Sequence, residues 1–161
     1  MRVKYLTTAP RQTRKLGKIL AKEVLRTKVS QKGALIVGLE GDLGGGKTTF
    51  LQGFAKGLGV KEKILSPTFI IMRKFEIRNS KFETNSKFKI REFQTFYHVD
   101  CYRIQKQKEI LDLGFKKIVS TPRNIVAIEW AEKIRKTIPG EAIWVKFEFI
   151  DKTTRKIVLK C

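Results

Sequence analysis

The chain has 161 residues, of which 42% are hydrophobic and 31% charged, enough for a single domain over residues 1–161 with its own core. No run approaches the roughly 20 apolar residues of a membrane span, and no apolar signal region follows the N-terminus. Cys101 and Cys161 provide neither a disulfide framework nor metal-ligand spacing. A cytoplasmic protein is therefore expected. The formal net charge of +20 fits contact with polyanions, either nucleic acid or acidic protein, although a lysine-rich host proteome would explain it equally well.

The N-terminal segment predicts a short strand followed by an amphipathic helix. Residues 3–6 form the strand, and Pro10 supplies the chemistry of a helix start. From residue 11 to about residue 26, apolar side chains at helical spacing mark one face, namely Leu16, Ile19, Leu20 and Val24. The basic residues of the same segment lie mostly on the other faces; these are Arg11, Arg14, Lys15, Lys18, Lys22 and Arg26.

A phosphate-binding loop follows the next strand. The apolar run 34–39 predicts a buried strand, and residues 41–48, Gly-Asp-Leu-Gly-Gly-Gly-Lys-Thr, fit the pattern G-x-x-x-x-G-K-[ST]. Glycines let the backbone curl around a phosphate, and the helix that follows presents the positive end of its dipole. Lys47 is placed to reach the β- and γ-phosphates of a nucleoside triphosphate, and the Thr48 hydroxyl to bind Mg²⁺. Gly57 and Gly59 end the helical pattern.

The middle of the chain is less informative. Pro67 makes Ser66 extended, and the apolar run 69–72 predicts a strand. The segment that includes Thr68 is either a plain entry into this strand or a nucleotide-sensing segment. Residues 73–91 contain turn signals between lysine-bearing stretches and predict an extended hairpin.

Two buried strands end in acids. The strand at 93–100 ends at Asp100, and the strand at 124–130 carries Glu129 near its end. P-loop enzymes place such acids near Mg²⁺, which prefers carboxylate oxygens, but the pattern alone does not rank the two candidates. A helix cap or a surface salt bridge is the alternative for each acid. His98 lies in mid-strand and is interpreted as a packed structural histidine.

The C-terminal third predicts short helices and a hairpin. The helix at 109–114 closes at Gly114, and the helix at 131–138 is stopped by Pro139. Residues 142–150 and 155–161 alternate in polarity and predict two strands joined by a tight turn.

Five motifs occur in a fixed order: Gly-Asp-Leu-Gly-Gly-Gly-Lys-Thr-Thr-Phe (41–50), Ser-Pro-Thr-Phe (66–69), Tyr-His-Val-Asp-Cys-Tyr-Arg (97–103), Glu-Ile-Leu-Asp-Leu-Gly (109–114) and Ile-Glu-Trp (128–130). This set resembles the TsaE (YjeE) family of bacterial P-loop ATPases, over nearly the whole chain. The phosphate-loop pattern is shared by many families, whereas the ordered set is specific. Two departures exist: Cys101 stands where the family has an aliphatic residue, and the stretch 73–92 is longer.

The resemblance implies an α/β fold of the P-loop NTPase type, with three layers, a central mostly parallel sheet and an antiparallel edge. It also implies ATP and Mg²⁺ as ligands, with Thr48 and Glu129 as the Mg²⁺-associated pair. Asp100 resembles the switch II acid that acts in hydrolysis, and Thr68 a switch I residue. Lys47, Asp100 and Glu129 are thus the expected catalytic residues. The expected nucleotide-binding residues are Leu43, Gly44, Gly45, Gly46, Lys47, Thr48, Thr49, Thr68 and Trp130, with Thr13, Thr154 and Arg155 near the adenine.

The resemblance further implies an energy-coupling subunit for the N6-threonylcarbamoyladenosine modification of tRNA adenosine 37. Such a subunit binds a TsaD–TsaB heterodimer, and its basic surface meets an acidic partner or helps to hold tRNA. A small-molecule kinase is an alternative, but the one candidate lid, residues 73–92, lacks an acidic acceptor site. A nucleic-acid-binding module with a vestigial nucleotide site is another; it would need an interleaved aromatic and basic face, which Phe75, Phe82 and Phe88 suggest weakly.

Overall fold

A computed structural model describes residues 1–27, 32–65, 70–77 and 93–161. The strands are β1 Arg2–Thr7, β2 Leu35–Gly41, β3 Met72–Glu76, β4 Thr95–Asp100, β5 Asn124–Glu129, β6 Ile143–Phe149 and β7 Arg155–Lys160. The helices are α1 Pro10–Arg26, α2 Lys47–Gly57, α3 Gln107–Leu111 and α4 Phe115–Val119, together with a 3₁₀ helix at Ala131–Thr137.

The seven strands form one mixed sheet in the order β1-β7-β6-β2-β5-β4-β3. The central strands β6, β2, β5 and β4 are mutually parallel. The pairs β1/β7, β6/β7 and β3/β4 are antiparallel. Because parallel strands end at the same edge of a sheet, the ends of β2, β4 and β5 lie side by side there. The predicted parallel centre is confirmed, and antiparallel pairs occur towards both edges.

Successive side chains of the central strands point to opposite faces of the sheet, and helices cover both faces, so the fold has three layers. On β5, Ile125 and Ala127 pack into the apolar cluster under α1 and α2, whereas Val126 and Ile128 pack into a second cluster on the other face. The second cluster contains side chains of α3, α4 and the 3₁₀ helix. A strand with apolar residues on both faces is typical of a sheet covered by helices on both sides. The predicted three-layer α/β architecture is therefore confirmed.

Glycines bring α1 and α2 close together, and this contact fixes the helix that carries the phosphate loop. A Cβ at Gly17 would overlap the carbonyl oxygen of Phe50, and a Cβ at Gly53 would overlap that of Arg14. The two backbones therefore approach more closely than ordinary side chains would allow. Leu16, Leu20 and Val24 of α1 are buried, as the helical pattern predicts.

Other local predictions need correction. Ile19 is 48% exposed, because the buried face of α1 continues through Gly17 and Ala21 rather than through position 19. The segment 131–138 forms a 3₁₀ helix instead of an α-helix, and Gly114 also begins α4, a helix that the pattern did not predict. The predicted strand at 69–72 is shifted along the sequence, because β3 starts only at Met72. The remainder of the predicted hairpin, from residue 78, lies outside the described residues.

Cys101, the departure from the family pattern, is a core residue. It is fully buried in the second apolar cluster. Burial raises the pKa of its thiol to about 12, so the side chain stays neutral and packs like a small apolar residue.

Candidate functional site

The loop between β2 and α2 has the backbone of a phosphate cradle. Gly41, Gly44 and Gly46 have φ values of 120°, 72° and 98°, a region that L side chains rarely adopt. At Gly41 a Cβ would also overlap the Phe147 carbonyl oxygen of neighbouring β6. Gly46 is the N-cap of α2 and leaves the first N–H groups of the helix facing the loop. The arrangement suits an anion at the start of α2.

Lys47 points back over this loop from the first position of α2. Its residue is 5% exposed, and its Nζ donates hydrogen bonds of 2.7 Å to the carbonyl oxygens of Gly41 and Asp42. The same Nζ lies 4.0 Å from the centre of the Trp130 ring, a cation–π contact. Burial lowers the pKa of the Lys47 ammonium, and the carboxylates around it act in the opposite direction. A poorly solvated cation of this kind gains strongly from a phosphate oxygen.

Glu129, at the end of β5, connects the loop to the centre of the sheet. Its carboxylate is buried, with the residue 2% exposed. One oxygen accepts a hydrogen bond of 2.7 Å from the Thr48 hydroxyl, and the other lies 2.7 Å from Nε2 of His98. Thr48 and Glu129 thus present two hard oxygen donors at one point, the chemistry that Mg²⁺ prefers.

Asp100 lies beside Glu129, since the register of β4 and β5 pairs the two residues directly. The Tyr102 backbone N–H donates a 2.9 Å hydrogen bond to its Oδ1. Burial raises the pKa of the Asp100 carboxyl; the Tyr102 hydrogen bond opposes the rise and the neighbouring Glu129 adds to it. A carboxylate that is less fully hydrated than usual can accept a proton or orient a water molecule at the cleft.

His98 is a packed histidine, as the sequence indicates, and it also contacts a carboxylate of the site. It is fully buried, and it contacts the carboxylate that Thr48 also contacts. Among the described residues, its Nδ1 has no hydrogen-bond partner. Because an ionised carboxylate only accepts hydrogen bonds, the Nε2–H tautomer of His98 is the one that donates a hydrogen bond to Glu129. The available signal was its spacing of two from Asp100, which places both side chains on the same face of a strand.

Trp130 holds an unusual backbone position at the mouth of the site. Its φ of 57° and ψ of 40° are left-handed, and it is the only residue other than glycine with positive φ among those described. Such a backbone conformation costs on the order of 1–3 kcal/mol and persists only where contacts with the surrounding structure stabilise it. Its ring packs on Tyr102, with centroids 5.2 Å apart, and faces the Lys47 ammonium. Sequence reasoning did not single out Tyr102.

Lys47, Thr48, Asp100, Glu129 and Trp130 line an open cleft of about 580 Å³ at the carboxyl ends of the parallel strands. The predicted residues that line it are Leu43, Gly44, Gly45, Gly46, Lys47, Thr48, Thr49, Asp100, Glu129 and Trp130. Arg103 lines the cleft as well. Among the described residues there is no group of three or more His, Cys, Asp or Glu that could hold a metal ion.

The residues expected near the adenine pack around the loop and do not line this cleft. Arg155 donates a 2.9 Å hydrogen bond from Nε to the Gly44 carbonyl oxygen, and its guanidinium lies over the Phe149 ring. The Thr13 hydroxyl pairs with that of Thr7 at 2.8 Å. Thr154 immediately precedes Arg155, the first residue of β7. Their predicted contact with the base stays a prediction. Thr68 lies outside the described residues.

No helix in the described part of the chain is long and apolar enough to cross a membrane.

Comparison with known proteins links this chain to one family. Residues 7–157 match the family model described as threonylcarbamoyl adenosine biosynthesis protein TsaE. The tRNA threonylcarbamoyladenosine biosynthesis protein TsaE of Bacillus subtilis is 30% identical over 155 residues, which cover 96% of this chain and 83% of that protein. The protein of the same name from Rickettsia felis is 34% identical over 145 residues, covering 89% of this chain and 71% of its own length. The crystal structure of Bacillus subtilis YdiB superimposes with a TM-score of 0.65 at 26% identity, covering 99% of this chain and 84% of that one.

Proposed function

This chain belongs to the TsaE family of tRNA threonylcarbamoyladenosine biosynthesis, and we propose that it binds and hydrolyses Mg-ATP as the energy-coupling subunit of the modification complex. The observation that carries the proposal is the convergence of Lys47, Thr48, Asp100 and Glu129 on one cleft beside the phosphate loop. Residues 1–161 act in this proposal as one P-loop ATPase domain.

Each side chain has a separate task in the proposed reaction. The loop amides and Lys47 bind the phosphates, and Lys47 balances charge that moves towards the leaving group. Thr48 and Glu129 would hold Mg²⁺, which when bound supplies charge for the phosphate oxygens. Asp100 orients the attacking water and accepts its proton. His98 keeps the Glu129 carboxylate turned towards Thr48 by holding its second oxygen.

Partner binding is proposed to set the rate. P-loop proteins that lack a complete site hydrolyse ATP slowly until a partner completes it. We therefore expect ATP hydrolysis by the isolated chain to be slow and to rise at least about tenfold when a TsaD–TsaB heterodimer is added. Phosphate release with and without the heterodimer measures the effect, and a pull-down with and without ATP measures the complex. The Lys47→Ala variant with the same heterodimer shows whether the activity belongs to this chain.

A second outcome would point to a different class of enzyme. If no ATP-dependent complex forms and hydrolysis is unchanged, the coupling role is wrong. Phosphate transfer to a small-molecule acceptor in the same preparation would then favour the kinase alternative.

The proposed metal role predicts a specific defect in Glu129→Gln. The amide keeps the shape of the side chain and can still accept from Thr48, but it removes the charge that attracts Mg²⁺. Even the loss of a residue that only hydrogen-bonds to a metal ligand lowers metal affinity by about 10–100-fold. We therefore expect the Mg²⁺ concentration for half-maximal ATP binding to rise by about tenfold or more. Fluorescent ATP binding followed through a Mg²⁺ titration measures this.

The exposed Glu62, which does not line the cleft, provides the matched control. Glu62→Gln loses the same charge away from the site and should leave the titration unchanged. If Glu129→Gln gives the same midpoint as the wild-type protein, Glu129 does not act at the metal.

A further inference from the structure

Five basic side chains of α1 form one stripe along its exposed side. All five residues are exposed: Arg11, Arg14, Lys15, Lys18 and Lys22. At 3.6 residues per turn, they fall within about 100° of arc and extend along about 17 Å of the helix. We refer to these five side chains as the basic stripe.

The charge of the basic stripe is not balanced within its own helix. Glu23 is the single acidic residue in the sequence of α1. It lies to one side of the stripe and pairs with Arg26, with a 2.9 Å separation between Arg26 Nη1 and Glu23 Oε1. None of the five side chains lines the nucleotide cleft, so the proposed ATPase reaction does not account for them.

The opposite side of α1 is already used by the core. Leu16, Leu20 and Val24 are buried against the sheet and α2, and Gly17 meets the α2 backbone. A basic amphipathic helix can also bind a membrane surface, but that mode requires a free apolar face. The exposed side of α1 therefore consists mainly of cations, and Ile19, 48% exposed, is its one exposed large apolar side chain.

This composition favours phosphate over an acidic protein. The centres of protein–protein interfaces are depleted of charged residues and enriched in aromatic side chains, whereas nucleic-acid surfaces are strongly basic and polar. Within the arc of the basic stripe, Leu25 is the only apolar residue, and it is partly buried against the core. Ile19 lies about 40° outside the arc.

We propose that the basic stripe is an RNA-binding surface that contacts the phosphate backbone. The choice of RNA rests on the chemistry above together with the tRNA pathway named for the relatives. Neutralising phosphates releases condensed counterions, so binding should weaken steeply with salt and show little sequence preference. The surface is separate from the cleft, and its test does not depend on ATP hydrolysis.

The test compares two triple variants that lose the same charge. One variant, Arg11→Gln/Lys15→Gln/Lys18→Gln, removes three members of the stripe. The control, Lys116→Gln/Lys117→Gln/Lys136→Gln, removes three exposed lysines from the face covered by α4 and the 3₁₀ helix. Fluorescence anisotropy with a labelled RNA hairpin over a salt series gives the dissociation constant and its salt dependence, and labelled polyglutamate is measured alongside. Circular dichroism checks that both variants are folded.

We expect the stripe variant to bind the hairpin at least about tenfold more weakly at about 0.1 M salt, with the slope of log K against log salt reduced by about 2–3. The control variant should stay within about threefold of the wild-type protein. Three results would overturn the proposal. Equal weakening of hairpin binding in both variants would assign binding to net charge, and polyglutamate binding as tight as RNA binding, with the same dependence on the stripe, would assign an acidic protein partner. The third result is that the wild-type chain does not bind the hairpin. None of these results bears on ATP hydrolysis, so failure here is distinct from failure of the ATPase proposal.

Discussion

Lys47→Ala is expected to lose ATP hydrolysis by roughly 10²- to 10³-fold, the effect of removing one charge-stabilising donor from a water-poor site. ATP affinity should also fall, because a charge-assisted hydrogen bond contributes about 1.5–3 kcal/mol. The physical reason is the position of Nζ, which is buried beside the loop carbonyl oxygens and beneath Trp130. The Lys47 ammonium is the cation next to the phosphate loop, and burial lowers the pKa of this ammonium. Phosphate release and fluorescent ATP binding measure the two effects separately.

The control for this variant lies on the same helix. Lys56 is exposed near the end of α2, and Lys56→Ala should hydrolyse ATP like the wild-type protein. Lys47→Met separates function from folding, because the methionine fills the buried volume without the charge. Since burying an ammonium is costly, Lys47→Met should keep a melting temperature close to that of the wild-type protein. Unchanged turnover in Lys47→Ala would remove Lys47 from the proposed reaction.

Asp100→Asn is expected to lower hydrolysis by about 10²-fold or more while ATP affinity changes by less than about threefold. The asparagine oxygen can still accept the Tyr102 N–H, so the turn after β4 should keep its shape. What is lost is a negative oxygen that can orient water and take its proton. Single-turnover hydrolysis with bound ATP measures the chemical step, and equilibrium binding measures affinity. Equal losses in both would assign Asp100 a role in binding instead.

The pH dependence of the wild-type protein provides an independent check on Asp100. Because burial raises the pKa of this carboxyl, it should take up a proton at a higher pH than an exposed aspartate does. The active form is the carboxylate, so hydrolysis should decline as pH falls through this raised pKa. Asp112→Asn, a change at an exposed acid, should leave the acid limb of the profile in place. Asp100→Asn should abolish that limb together with most of the activity.

The phosphate loop was predictable because its determinants are local. Glycines at positions with positive φ, a lysine and a hydroxyl at the start of a helix are consecutive in the chain, so the pattern and the backbone conformation coincide. The buried strand at the centre of the sheet was predictable for a similar reason, since residues 125–128 are apolar throughout and therefore need cover on both faces. Its parallel pairing with the neighbouring strands was implied by the family resemblance.

Other features depended on contacts between distant segments. Asp100 and Glu129 were equivalent by pattern, and their difference arises from register and hydrogen bonds. The Glu129 carboxylate forms hydrogen bonds with the side chains of Thr48 and His98, both distant in the sequence. The one hydrogen bond found at the Asp100 carboxylate comes from the nearby Tyr102 N–H. Nothing local in the sequence indicates that Trp130 adopts a left-handed conformation, because its ring is held there by Lys47 and Tyr102.

The sequence by itself therefore determined the loop, the alternation of helices and strands, and the presence of acids at two strand ends, since each depends on neighbouring residues or on a short period. The tertiary structure alone decided which side chains share the cleft. It placed Thr48 and Glu129, which are 81 residues apart, within 2.7 Å, and it brought buried His98 onto the second carboxylate oxygen. It also decided that the buried face of α1 includes Gly17 and Ala21 and leaves Ile19 exposed, because burial against α2 depends on the close approach at Gly17 and Gly53. Strand order and helix packing are set by the whole core, and no single stretch of the chain encodes them.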